Sequence, residues 1–248
     1  MLITPPYSKP ENFVRDLAGQ AYAVLPPADV ASLLGDDLAA LQALQPFWSR
    51  LPADRWLKDG GHYRRRRHSC FIVQQGHVER VPHRAHWQPV EYNALHGGVL
   101  RMFDPVEREM VIQPVWQKML VQLGEVCSAI KGEQRWFVEA HVFRIDTTGG
   151  IGRPTPEGAH RDGVDFVSIF LADRQHVQGG ESRVFLNNAS EGRRFTLLEN
   201  WTLMMLDDER MIHESTPIQP VNGNGFRDTL VLTWRKNGFL SPDVLRNR

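Results

Sequence analysis

The 248 residues carry 29 lysines and arginines against 29 aspartates and glutamates, which leaves no net formal charge. That balance gives no general electrostatic reason to expect nucleic acid or a membrane surface as partner, and the length can bury one substantial core. No apolar run approaches the ~20 residues of a membrane span. The first residues lack the basic-then-apolar layout of a signal peptide, and two cysteines, Cys70 and Cys127, imply no disulfide framework. The expectation is a cytoplasmic protein with ordinary thiols.

In chain order, "PPADVASLLGDDLAALQALQPFW" places Val30, Leu33, Leu34, Leu38 and Leu41 at helical spacing, with Gly35 a weak point. "HYRRRRHSCF" reads as a strand carrying four consecutive arginines, Arg64 to Arg67. A second helix is marked by Asp104, Pro105 and Glu107, which have N-cap, first-turn and capping-box placement. Ile112, Val115, Trp116, Met119, Leu120, Leu123, Val126, Cys127 and Ile130 continue it as one apolar stripe, and Gly132 ends it. Pro114 kinks or divides it. Such a stripe is core packing rather than a cofactor box.

From Arg135 the character changes. "RWFVEAHVFRID", "VDFVSIFLAD", "SRVFLN", "RFTLLE", "TLMMLDD", "MIHESTPI" and "FRDTLVLTWR" are short runs of branched and aromatic residues punctuated by Gly, Asn, Asp and Pro. With no helical pattern between them, they indicate an antiparallel sandwich or barrel. The fold class expected is α+β, mostly β. Residues 1–133 form a helical and strand support region, its helical half packed against a β core at 134–248, in one domain without repeats or linkers.

His160 and Asp162 stand two apart in "EGAHRDGVDF", a pairing that a soluble chain of this size shows by chance roughly once or less. His213 follows in "ERMIHESTPI", and Arg227 comes fourteen residues later. Two histidines and a carboxylate make a facial triad that leaves three positions of an octahedral iron(II) open, two for a chelating oxo-acid and one for dioxygen. Alternation along "FRDTLVLTW" puts Arg227, Thr229, Val231 and Thr233 on one face and Leu230, Leu232 and Trp234 on the other. A half-buried guanidinium needs an anionic partner. Arg227, with the Thr229 hydroxyl, is therefore placed to grip the distal carboxylate of the co-substrate. The plainer alternative leaves His213 and Arg227 as surface residues.

At these residues the chain resembles the iron(II)/2-oxoglutarate-dependent dioxygenases: His160-Arg161-Asp162, the distal His213, the Gly179–Ser182 "GGES" turn and Arg227-Asp228-Thr229. More narrowly, "HRDGVDFVSIFLADRQHVQGGESRVF" with "HESTPI" and "RDTLVLTW" is similar to the bacterial group that includes L-isoleucine dioxygenase and BsmA. "EYNALHGGVLRMFDPV" extends the likeness to about residues 60 to 235. The resemblance implies a double-stranded β-helix, a jelly-roll and cupin relative, with the ligands near one mouth. It also implies iron(II), 2-oxoglutarate and dioxygen, and hydroxylation of an unactivated C–H bond on the aliphatic side chain of a free L-amino acid. The alternatives are the same chemistry on a peptide, lipid or nucleobase, and a non-catalytic metal-binding jelly roll acting as a sensor.

A small zwitterion is well hydrated, so binding it requires paired charges inside a pocket. Arg65 and Arg67 of the arginine run and Arg144 of "HVFRID" are the candidates for its carboxylate. The run lacks the interleaved aromatics of a nucleic-acid strand, so a small molecule is the expected partner. His141 and Arg144 have opposite parity on one strand and cannot both face the interior without a bulge. His141 is expected as a hydrogen-bonded core histidine, and His176, near a turn, at the surface.

Overall fold

Branched and aromatic runs pair along their length in the computed structural model, which describes residues 3–187 and 191–242. The strands are β1 (Tyr22–Leu25), β2 (Arg64–Gln74), β3 (His77–Arg80), β4 (Trp136–Asp146), β5 (Phe166–Gln175) and β6 (Val177–Gly179), then β7 (Glu181–Leu186), β8 (Gly192–Thr196), β9 (Leu203–Asp207), β10 (Met211–Ser215), β11 (Ile218–Pro220) and β12 (Phe226–Arg235). Seven form one antiparallel sheet in the order β1-β9-β5-β12-β4-β2-β3; β10-β7-β8 and β11-β6 make two smaller sheets. The molecule is mostly β, as expected.

The register explains the two faces of the large sheet. Across its centre Arg227 of β12 pairs with Ile145 of β4, and Ile145 with Arg64 of β2. The next inward row is Thr229, Phe143 and Arg66; the one after is Val231, His141 and His68. This polar face turns toward the small sheet, and a cavity opens between them, lined also by Ser182, His213 and Ser215. The opposite face is apolar: Leu230, Leu232 and Trp234 are fully buried there with Val138, Ala140, Phe71 and Val73. Each such side chain contributes about 1.5–3 kcal/mol by leaving water.

Helix α5 (Pro114–Lys131) covers that apolar face with the stripe Val115, Trp116, Met119, Leu120, Leu123, Val126 and Cys127. Pro114 starts this helix rather than kinking it, because a first-turn residue needs no N–H partner. A separate short α4 (Arg108–Val111) precedes it, and Ile112, expected in the stripe, falls in the break and is 62% exposed. Gly35, at φ 60°, ends α2 (Pro27–Leu33), and α3 (Leu38–Gln42) restarts where Asp37 accepts from the Ala40 N–H at 2.8 Å. With α1 (Phe13–Gln20) these are the α-helices of the first half among the described residues, and of them α5 alone exceeds eight residues. The expected helical N-terminal half is thus a correction. This half contributes β1, β2 and β3 to the large sheet, because Gly35 and Pro114 divide the helical patterns and the arginine run pairs along β4. None of the described helices is long and apolar enough to cross a membrane.

Trp48, in the 3-10 turn Gln45–Arg50, locks this support region to the sheet. It is fully buried, meets Trp201 edge-on at 5.9 Å, and its indole N–H points at the carbonyls of Phe143 and Thr229, 3.0 and 3.2 Å away. Trp48→Ala is expected to cost about 3–5 kcal/mol of stability. Trp48→Phe, which keeps most of the packing but drops the N–H, should cost appreciably less. Equilibrium urea unfolding of the two variants measures both.

Candidate metal centre and its cavity

Backbone pairing brings the two histidines together. His160 and His213 form an isolated antiparallel bridge, each N–H donating to the other's carbonyl at 3.0 and 2.9 Å, and their rings lie 4.7 Å apart. Asp162 follows on a loop that Asp208 holds from below. The buried Asp208 carboxylate accepts from the backbone N–H groups of Asp162, Gly163 and Val164 at 2.8 to 3.0 Å. Gly163 has φ +73°, and a Cβ there would run into the Tyr92 ring, so the turn requires glycine.

One donor atom from each of His160, Asp162 and His213 lies within 4.8 Å of the others. The Asp162 oxygens stand 3.9 Å from His160 Nε2 and 3.6 Å from His213 Nε2, too far for hydrogen bonds and close enough to share one cation. His160 Nδ1 donates to the Gly158 carbonyl at 2.9 Å, which fixes the ring and leaves the Nε2 lone pair free. Asp162 Oδ1 accepts from Gln88 Nε2 at 3.1 Å. Burial opposes protonation of His160, but the charges of Asp162 and Glu157 outweigh it and raise its pKa. Burial, then the neighbouring His160, pushes His213 down to about 3. Burial raises Asp162 as well, His160 opposing and Glu157 assisting. Three donor atoms within 4.8 Å that do not hydrogen-bond one another fit a divalent metal.

A second group of donors lies in the same cavity wall: His68, His86, Glu139 and His141, all buried. Its geometry differs. Glu139 Oε2 accepts from His68 Nε2 at 2.8 Å and from His86 Nδ1 at 2.6 Å, while His141 Nδ1 receives the Arg66 guanidinium at 2.6 Å. Burial would raise Glu139, yet His86 and His68 hold it well below the ordinary carboxylate range. The group closes on itself by hydrogen bonds and has two guanidiniums beside it, Arg66 and Arg101, whose charges oppose a second cation. It reads as a polar scaffold for Arg66.

Arg227, Thr229, Val231 and Thr233 all line the cavity, as alternation implies. Arg227 is 4% exposed, forms no ion pair among the described residues, and its Nε is buried without a partner. Burial and the nearby Arg174 lower its pKa to about 10, so it stays charged at neutral pH. Gly180, at φ +67° in the "GGES" turn, lies against it; a Cβ there would stand 3.4 Å from the Arg227 side chain. An unpaired guanidinium on the cavity fits one carboxylate of 2-oxoglutarate.

Arg65, Arg67 and Arg144 do not reach the cavity, which corrects their candidacy as substrate contacts. Arg65 is half exposed, 3.6 Å from Asp146; Arg67 approaches Glu107 at 3.5 Å; Arg144 pairs with Asp228 at 2.6 Å. All three share the outward parity of β2 and β4, while Arg64 and Arg66 point inward. His141 is buried and hydrogen-bonded, and His176 is exposed. Gln88, Arg101, Glu157 and Asp208 were not anticipated. Of these, Glu157 stood nearest the ligands in sequence, three residues before His160 in the same motif.

Two histidines, a carboxylate and a buried arginine thus line one cavity, a residue set that suits a non-haem iron oxygenase. The chain belongs to the 2OG-Fe dioxygenase family, whose model matches residues 45–233. It is therefore an oxygenase enzyme, and the family implies iron(II), 2-oxoglutarate and dioxygen. Among solved structures it is similar to a bsmA homolog from Methylobium petroleophilum PM1, at 49% identity over 96% of this chain and 98% of that one, TM-score 0.90. The fold is also shared with IDO from Bacillus thuringiensis, at 16% identity over 92% of this chain and all of that one, TM-score 0.75. The Fe(II)/(alpha)ketoglutarate-dependent dioxygenase TqaL shares it too, at 20% identity over 92% of this chain and 86% of that one, TM-score 0.71. No curated protein matches the chain.

Proposed function

We propose that the whole chain acts as one double-stranded β-helix dioxygenase that hydroxylates an unactivated C–H bond on the side chain of a free L-amino acid. His160, Asp162 and His213 hold the iron; Arg227 and the Thr229 hydroxyl hold the distal carboxylate of 2-oxoglutarate. When bound, iron and 2-oxoglutarate would let dioxygen oxidise the C–H bond, one oxygen atom entering the product and the other the succinate formed as 2-oxoglutarate loses carbon dioxide. The chain's residues bind, orient and exclude water. Gln88 and the Gly158 carbonyl orient two of the ligands, and Asp208 fixes the loop that carries the third side chain of "HRD". The apolar Ile169, Met204 and Val231 line the same cavity.

The observation that carries this reading is one cavity bounded by three donors that do not bond one another and by an arginine without an anion. Its test is succinate release with iron(II) and 2-oxoglutarate across the free L-amino acids. Release should rise several-fold with at least one aliphatic amino acid and yield a hydroxylated product by mass spectrometry. Stimulation by a peptide, lipid or oligonucleotide, with none by free amino acids, would overturn the substrate assignment and leave the iron chemistry standing.

A further inference from the structure

Charges remain on the cavity that neither the metal ligands nor Arg227 uses. Arg66 and Arg101 are 4% and 3% exposed, neither forms an ion pair among the described residues, and the Nε of each is buried without a partner. The Arg66 guanidinium lies 3.7 Å from the Phe103 ring centre and 4.5 Å from that of Phe143, so aromatic faces cover it and a ligand must meet its edge. Its Nη2 is fixed on His141 at 2.6 Å. Arg101 donates to Gln88 Oε1 at 3.1 Å, and the other end of that amide donates to Asp162. One glutamine thus ties this guanidinium to a candidate metal ligand. Strand spacing sets Arg66 roughly 10 Å from the β12 row that carries Arg227 and Thr229, room for a second ligand beside the co-substrate.

An unpaired acid faces the same space. Glu157 lines the cavity, its Oε2 is buried without a partner, and its Oε1 lies 3.6 Å from His160 Nε2. It is near enough to Arg101 to act on that residue's charge. This end of the cavity also holds Arg64, paired with Asp54 at 2.7 Å, and the hydrogen-bonded Glu139. With Asp162 set aside for the metal, three guanidiniums therefore stand with three carboxylates. Leaving buried charged groups unmatched is costly, and a ligand that satisfies them must keep that balance. A monocarboxylate would leave Glu157 without a cation, and an amine would leave both guanidiniums without an anion. A zwitterion satisfies all of them without adding net charge.

We propose that Arg66 and Arg101 clamp the substrate's α-carboxylate and that Glu157 receives its ammonium group beside the metal. The assignment rests on the amino-acid reading above and deepens it. It makes the recognised unit the zwitterionic head, held on the β2 side of the cavity, with the side chain left to the apolar wall. Arg66 is positioned by His141, and Arg101 by Gln88.

Calorimetric binding to protein loaded with manganese(II) and 2-oxoglutarate, without oxygen, tests it directly. The probes are L-valine, L-leucine, L-isoleucine and L-methionine, then, for the tightest, the analogues lacking the amine or the carboxylate and its glycyl dipeptide. For leucine these are 4-methylpentanoate, 3-methylbutylamine and glycyl-leucine. The free amino acid should bind tightest. Arg101→Gln should weaken it about 10- to 100-fold, the range for loss of a charge-assisted hydrogen bond. Glu157→Gln should remove the preference for the amino acid over its deaminated analogue. Thermal melts and 2-oxoglutarate binding verify that each variant folds, and these two substitutions leave Arg66 in place between its two aromatic rings. Equal wild-type binding of the deaminated acid or the dipeptide would overturn the role of Glu157. Unchanged amino-acid affinity in both variants would overturn the clamp while leaving the amino-acid reading intact. If no amino acid binds, both fall together.

Discussion

Replacing Asp162 with alanine is expected to abolish metal-dependent 2-oxoglutarate turnover and leave a folded protein. The only carboxylate of the proposed triad would be gone, and two imidazoles alone do not hold iron(II) in the required geometry. Loss of a residue that merely hydrogen-bonds a metal ligand already costs about 10- to 100-fold in affinity or activity, so loss of a ligand should exceed that range. The fold should survive because Asp162 contributes little to packing. Its side chain accepts one hydrogen bond, from Gln88, and burial disfavours its charged form. In the metal-free state the variant should be at least as stable as the parent, since a buried charge is removed. Added manganese(II) should raise the melting temperature of the parent and not of the variant, as mass action on a single native-state site requires. A metal-induced shift that persists in Asp162→Ala would place the cation elsewhere, and the histidine and glutamate scaffold around Glu139 would be the first place to look.

The contrast between Arg227 and the arginine run shows where strand parity can be read from sequence and where it cannot. Along β12 the residues alternating with Arg227 are Leu230, Leu232 and Trp234, so the face packed on the helices is unmistakable and the other must be the cavity. In β2 the first four residues are all arginine and carry no such contrast. The parity was still encoded, further along: Phe71 and Val73 pack on the helix side, so Arg65 and Arg67 share their face and Arg64 and Arg66 take the other. Recognising this requires knowing that the apolar face is not the cavity face, which depends on how helix and sheet layers stack. His86, Gln88 and Arg101 were hidden for a different reason. They sit in an irregular segment whose strand-like pairing is confined to a bridge between His86 and Arg101, and no periodicity there marks direction. Strands β1 and β3 were missed because one is four residues long and the other is mostly exposed and polar. The ligand set was more legible because its chemistry is local: two residues apart on one turn, with a partner strand whose bridge brings His213 alongside.

Arg227→Lys should raise the apparent Michaelis constant for 2-oxoglutarate by about 10- to 100-fold, with a far smaller effect on that of the amino acid. A guanidinium offers two parallel N–H donors to a carboxylate, whereas an ammonium is a single rotatable point charge on a shorter reach. The position magnifies the difference. Arg227 is nearly fully buried, its aliphatic stem is packed against Gly180, and its carbonyl-side neighbour Asp228 is turned to the other face and already engaged by Arg144. Among the described residues no carboxylate pairs with Arg227, which leaves the place open for the co-substrate. A lysine there would have to carry its charge in the same enclosure with fewer hydrogen bonds, and burial would press it toward the neutral form. Because the proposed amino-acid clamp lies two strands away on β2 and on the Arg101 segment, the two Michaelis constants should separate. Arg227→Lys should move the one for 2-oxoglutarate, and Arg101→Gln the one for the amino acid. Equal changes in both constants for either variant would mean that the two carboxylates share one arginine, and the division of the cavity into two subsites would be wrong.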